Sequence, residues 1–215
     1  RVTPPCKIYK QCGGCQVQHL NYPGQLQMKY DTVVNQFKRI GHIEDANILP
    51  TIGMEEPWRY RNKTQVPFGL ANGDVVAGFY QKRSHEIIDM RHCLIQTEIS
   101  DEIIHEMRGI CRDLKLSPYN EESNTGILRH VIVRTGFKTD EIMVLLVTRK
   151  EKIINMDRIV SRLLEKFPQI KVIAQNINPN VTNAILGEKT NIIYGEGYIY
   201  DEMNGIRFAI SPRSF

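Results

Sequence analysis

Cys6, Cys12 and Cys15 fall within ten residues in a C-x5-C-x2-C spacing, and Gly13-Gly14 separates the last two. No other feature constrains the chain as strongly. Three thiols in one short loop can serve one metal or cluster, and the glycines let the backbone wrap tightly and turn N–H groups towards sulfur. The chain has five cysteines, an odd number, whereas a secreted disulfide framework is usually denser and evenly paired. In a reducing cytoplasm, clustered cysteines more often bind metal. The fourth ligand must come from elsewhere. Cys111 falls on the apolar face of a predicted helix and reads as a buried small hydrophobe. Cys93 lies in Arg91-His92-Cys93-Leu94, between a predicted strand and a predicted helix, where a loop can turn a ligand inward. Cys93 is therefore the expected fourth ligand. His19 and His92 are nearby but read as surface or outlying residues. On the residues alone three readings stand: a structural zinc site, a cubane iron–sulfur cluster, or free thiols.

Periodicity places the loop in an α+β chain. Leu26, Tyr30, Val33, Val34 and Phe37 recur at helical spacing and predict a helix over 24–40, with Gly41 to stop it. Strands are predicted over 59–70 and 75–81 around Asn72-Gly73, a strong hairpin signal because both central turn positions need positive φ. A short strand at 86–90 follows. A second helix is predicted at 97–115, then strands at 128–137 and 141–149, a third helix at 152–167 and a strand at 170–177. Short strands near 190–194, 197–203 and 206–210 close the chain, with Asn204-Gly205 as another turn. Hairpins outnumber crossovers, so mostly antiparallel sheet with about three helices around the cysteine loop is expected. The division expected is a central region, 1–197, followed by a lead-in segment, 198–215. The chain opens without Met and stops within Ser211-Pro212-Arg213-Ser214-Phe215, so it reads as a piece of a longer protein.

Hydrophobic residues make up 41% and charged residues 24%, with a net charge of +4. This composition suits a folded globular chain and permits nucleic-acid binding without demanding it. The longest apolar run, Ile142–Val147, is too short to span a bilayer. Neither a membrane role nor a secretion signal is expected, and the cytoplasm is the default compartment.

Trp58-Arg59-Tyr60-Arg61-Asn62-Lys63-Thr64-Gln65 alternates cations with aromatic and polar residues. On a strand, Arg59, Arg61 and Lys63 would share one face. Gln81-Lys82-Arg83 ends the partner strand. Grouped cations suit a phosphate backbone, and amide side chains can reach base edges. The competing reading is a solvated face with Arg and Lys stems lying along it. Arg129 and His130 form a second patch, for which an ordinary strand start is the favoured reading.

Taken together, these residues resemble the bacterial RNA uridine C5-methyltransferases. The C-x5-C-G-G-C-x2-Q-H run at Cys6–His19 is similar to their iron–sulfur signature and points to the 23S ribosomal branch rather than the transfer RNA branch. W-x-Y-R-N-K-x-Q at Trp58–Gln65, A-G-F-Y at Ala77–Tyr80, Asp89-x3-Cys93, L-R-H at Leu128–His130 and I-S-P-R-S-F at Ile210–Phe215 follow in order. The resemblance implies an S-adenosylmethionine-dependent enzyme with a 4Fe-4S cluster on Cys6, Cys12, Cys15 and Cys93. It also implies a ribosomal RNA partner and a monomer. Family members attack uracil C6 with a cysteine, methylate C5 and remove the C5 proton. In the family those groups lie beyond the S-P-x-S-F segment, so no catalytic residue is expected among residues 1–215, and this stretch alone should be inactive. Arg59, Arg61, Lys63, Gln65, Lys82 and Arg83 are the RNA-contact candidates, with Phe215 placed near an extruded base. Residues 22–91 would pack against the catalytic domain and leave apolar surface open. The alternative function is a non-catalytic zinc-binding nucleic-acid module.

Overall fold

A computed structural model describes residues 1–214. The residues before Tyr22 form turns rather than regular structure. Helix α1 spans Tyr22–Asn35 and runs into a π-helical turn at Gln36–Ile40. Asn21 caps it, its Oδ1 accepting from the Gly24 amide at 3.0 Å, and Pro23 sits in the first turn where its missing N–H costs nothing. Strands β1 (Lys63–Ala71), β2 (Asp74–Tyr80) and β3 (Ile87–Asp89) follow, then helix α2 (Glu98–Asp113). The rest comprises β4 (Leu128–Thr135), β5 (Ile142–Thr148), α3 (Met156–Lys166), β6 (Ile170–Ile177), β7 (Lys189–Tyr194), β8 (Ile199–Met203) and β9 (Ile206–Ile210).

The described residues form a seven-stranded sheet in the order β3-β2-β1-β4-β5-β6-β7 and a separate β8-β9 hairpin. Every neighbouring pair is antiparallel except β5-β6. That pair must run parallel because α3 carries the chain back to the start edge of the sheet, as a crossover requires. The Asn72-Gly73 and Asn204-Gly205 turns have positive φ at both positions, as their sequences demand. The expected α+β class, with three α-helices and mostly antiparallel pairing, is what the described residues adopt.

One sheet face carries Val66, Phe68, Ala77, Val131, Val133, Val144 and Leu146, and it packs against α2 and α3 through Ile103, Ile104, Met107, Ile110, Ile159 and Leu163. The other face is covered only over β4, β5 and β6. There Ile132, Met143, Leu145, Val147, Val172 and Ala174 meet Ile199 and Ile210 of the hairpin. Over β1 and β2 that second face has no such cover, and a groove of about 920 Å³ remains.

The sequence-based bounds differ from the structure in one place that matters. The strand predicted from residue 59 begins at Lys63. Arg59 takes a positive φ of 53°, and Arg61 makes only a single bridge, to Gln96. Residues 58–62 therefore follow the Cys93 loop rather than the sheet.

Candidate metal centre and nucleic-acid-facing surface

Cys6, Cys12, Cys15 and Cys93 line one narrow pocket, walled by Ile8, Phe79 and Met90 among others. Two local features seat the loop. The Gly13 amide donates to Tyr80 O at 2.9 Å, so close that a Cβ there would stand 2.7 Å from that oxygen. The Gly14 amide donates to Cys12 Sγ at 3.3 Å. None of the five cysteines is in a disulfide. Cys111 is 3% exposed within the helix–sheet core, and burial pushes it up to about 12. It is a packing residue.

The pocket thiols sense one another. Burial raises Cys12 above its ordinary value, the Gly14 amide pulls it down, and the Cys15 and Cys6 sulfurs push it up again. Burial pushes Cys93 up to about 11. The Ile95 and Gln96 amides oppose this, and Asp101 and Cys15 add to it. Thiolate is the form that binds a metal, and a bound cation or cluster would favour it. Among the described residues no group of three or more His, Cys, Asp or Glu side chains is arranged to hold a metal ion.

A buried charge clamp holds the Cys93 loop. Asp101, 3% exposed at its side chain, accepts from the Cys93 amide at 2.9 Å and from Arg59 Nη1 at 3.2 Å. The same Nη1 donates to Cys93 O at 2.6 Å and Gln96 O at 2.9 Å. Burial raises the Asp101 carboxyl, while the Cys93 amide and Arg59 work against that. Sequence reading placed Arg59 on an RNA-facing strip. Its guanidinium is instead spent on the loop's own carbonyls, because the positive φ turns it away from the strand alternation. The signal was present in the pairing of Arg59 with an acid early in a helix, but only the fold shows which acid.

The other basic candidates do not form one stripe. Arg61 stands 6.0 Å over the Phe79 ring, beside the cysteine pocket. Lys82 stands 5.5 Å over Tyr9 of the cysteine loop, and Lys82 and Arg83 line a shallow surface cleft with Gly13, Gly14 and Gln16. Lys63 and Gln65 lie elsewhere, in register with Arg134 and Ile132 on the sheet face turned away from α2 and α3. Burial lowers the Lys63 ammonium, and the Arg134 charge adds to this. Arg61, Lys82 and Arg83 thus gather at the cysteine loop, and Lys63 and Gln65 do not join them. Phe215 lies outside the described residues. The sequence missed Arg134, an ordinary strand residue until the register places it across from Lys63.

The chain is similar to proteins described as RNA methyltransferases. No family model matches the chain. It is 49% identical over all 215 residues to a protein of Halalkalibacterium halodurans described as an uncharacterized RNA methyltransferase, of which it covers 47%. Proteins of the same description from Bacillus cereus and Staphylococcus aureus are 50% and 44% identical over the whole chain, covered to 47% and 48%. Among solved structures, the tRNA (uracil-54, C5)-methyltransferase of Pyrococcus abyssi, determined in complex with S-adenosyl-L-homocysteine, superposes with a TM-score of 0.71 at 25% identity. The match covers 95% of this chain and 46% of that one. The chain therefore spans about half the length of the relatives it matches. Among the described residues no helix is long and apolar enough to cross a membrane.

Proposed function

We propose that this chain is the cluster-bearing and RNA-binding portion of an S-adenosylmethionine-dependent RNA uridine C5-methyltransferase acting on 23S ribosomal RNA. The observation that carries the reading is the fold likeness, over nearly the whole chain, to an enzyme named for methylation of uracil C5 in transfer RNA. The RNA methyltransferase description of the relatives supports it. The ribosomal branch rests on the form of the cysteine signature.

In this reading Cys6, Cys12, Cys15 and Cys93 hold a 4Fe-4S cluster. A cubane cluster would accept four thiolates, three from one loop and one from a distant segment, and this pocket brings such a set together. The donor chemistry fits: four thiols, apolar walls, and backbone amides directed at sulfur. The cluster would serve as a structural tie between residues 6–15 and residue 93, since methyl transfer needs no electron. The nucleophile, the general base and the methyl-donor pocket are assigned outside residues 1–215, so this stretch alone would be inactive. The open face of α1 is assigned to contact with that catalytic portion; β1 and β2, also expected there, are held in this chain's own sheet and core. A cytoplasmic monomer completes the reading.

The test uses the full-length protein purified without oxygen. Iron and sulfide near four each per chain, with absorbance near 400 nm that Cys15→Ser removes and Cys111→Ser retains, are the expected results. A colourless protein with one zinc per chain would favour the zinc-binding module instead. Methyl transfer from S-adenosylmethionine to 23S ribosomal RNA, and not to transfer RNA, is expected; the reverse result would move the protein to the transfer RNA branch.

A further inference from the structure

Two hollows of the molecule share a wall. The pocket that holds Cys6, Cys12, Cys15 and Cys93 is bounded in part by Gly14 and Phe79. The shallow cleft on the surface is bounded by the same two residues, with Gln16 from the cysteine loop and Lys82 and Arg83 from the turn after β2. The cleft therefore straddles the joint between the cysteine loop and the end of β2. Across that joint the Gly13 amide donates to Tyr80 O at 2.9 Å, and Cys12 forms an isolated bridge to Gln81. A metal held by Cys12 and Cys15 leaves when the loop opens from β2, so a ligand that spans the joint from outside slows its departure.

Charge selects that ligand. Lys82 and Arg83 line the cleft and no acid does. Among the described residues neither cation makes an ion pair. Lys82 stands 5.5 Å over the ring of Tyr9, which also lines the cysteine pocket, and Arg61 stands 6.0 Å over the shared Phe79. A cation above a ring keeps its N–H donors for an anion. Lys82 is also near enough to Cys12 for its charge to act on that sulfur. It can therefore offset the repulsion between an anion in the cleft and thiolates behind the wall. Unpaired cations beside exposed backbone suit a phosphate of a polynucleotide.

We infer that the cleft seats an RNA phosphate across the joint between the cysteine loop and β2, so that bound RNA clamps the loop shut and retains the metal centre behind it. The inference rests on the RNA-binding and cluster readings above and adds a coupling between them. Each ligand stabilises the loop closure on which the other depends, so the effect is reciprocal.

The test uses full-length protein purified without oxygen, with its iron in place. A ferrous chelator is added, and loss of the absorbance at about 400 nm is timed with and without a single-stranded oligouridylate 12-mer. Binding of the 12-mer is followed separately by fluorescence anisotropy, so that the RNA is saturating. RNA is expected to slow iron loss about tenfold, a coupling of ordinary size. In the double variant Lys82→Ala, Arg83→Ala, at two exposed positions, the ratio of the two rates should fall towards one, even with RNA saturating the sites that remain. If wild type binds the 12-mer and iron loss is unchanged, or if the slowing survives in the double variant, the coupling is overturned while RNA binding stands. If wild type does not bind the 12-mer, the RNA-binding reading fails and takes the coupling with it. A protein without iron ends the inference together with the cluster reading.

Discussion

Helices α1 and α2 are both regular and both written with apolar residues at helical spacing, yet they live in different surroundings. α2 buries Ile103, Ile104, Met107, Ile110 and Cys111 against the sheet. α1 buries no residue, and Val33 and Phe37 remain 43% and 40% exposed. Its partners are local: Thr51 Oγ1 donates to Leu26 O at 3.2 Å, and the Met54 amide donates to Tyr22 Oη at 2.7 Å. The reason lies in the pattern itself. Along α2 the charged residues are largely excluded from one side, whereas α1 scatters Gln, Lys and Asp among its apolar positions and never gathers a continuous stripe. A helix of the second kind folds on its caps and its own loop; one of the first kind builds a core.

The contrast can be broken by mutation. Ile104→Ala should cost about 2–5 kcal/mol in urea unfolding, the range for a cavity in a packed core, while Val33→Ala on α1 should stay within about 0.5 kcal/mol. Similar costs at the two sites would mean that α1 has a partner in solution within this chain.

A second test asks whether burial without apolar packing behaves the same way. His130 is held neutral in the folded chain with its pKa lowered to about 4. A base whose folded value lies below its unfolded one contributes stability that is full above the unfolded value and is lost as pH falls. Stability should therefore fall between about pH 6.5 and pH 4, by up to about 3 kcal/mol, and this part of the loss should disappear in His130→Leu. A pH-independent stability across that window would show that water reaches the His130 ring.

Asp101 sharpens the comparison from α2's own first turn, where a buried carboxylate does for the Cys93 loop what apolar side chains do for the core. Asp101→Asn should cost about 1–3 kcal/mol, because the Cys93 amide and the Arg59 guanidinium lose their charged acceptor. It should also speed alkylation of Cys93. Unchanged alkylation would place the loop's rigidity elsewhere. The smallest effect belongs to the surface: Lys82→Ala should leave the melting temperature in place and lower the salt slope of RNA binding by about one. An unchanged slope would return Lys82 to the solvated surface.

The order of elements was legible in the chain because hydrophobic period and Asn-Gly turns are local properties. Asn72-Gly73 and Asn204-Gly205 needed positive φ wherever they fell, and the run Ile142–Val147 could only be an interior strand. The grouping of Cys6, Cys12 and Cys15 was legible for the same reason, being fixed by spacing within one loop. Arg59 was not. Its part in the Cys93 loop depends on a backbone turn stabilised by Asp101, forty-two residues away, and alternation alone predicted the opposite direction.

What the sequence determined by itself was thus the set of short-range structures: helices, hairpins, a cysteine loop and the positive charges around it. Tertiary structure decided the joining of Cys93 to that loop, the splitting of the basic residues between two faces, and the groove over β1 and β2. Those outcomes depend on which strand lies beside which and on how far the β8-β9 hairpin reaches across the sheet. Neither is set by a local preference, because register and cover are fixed only when distant apolar faces compete for burial.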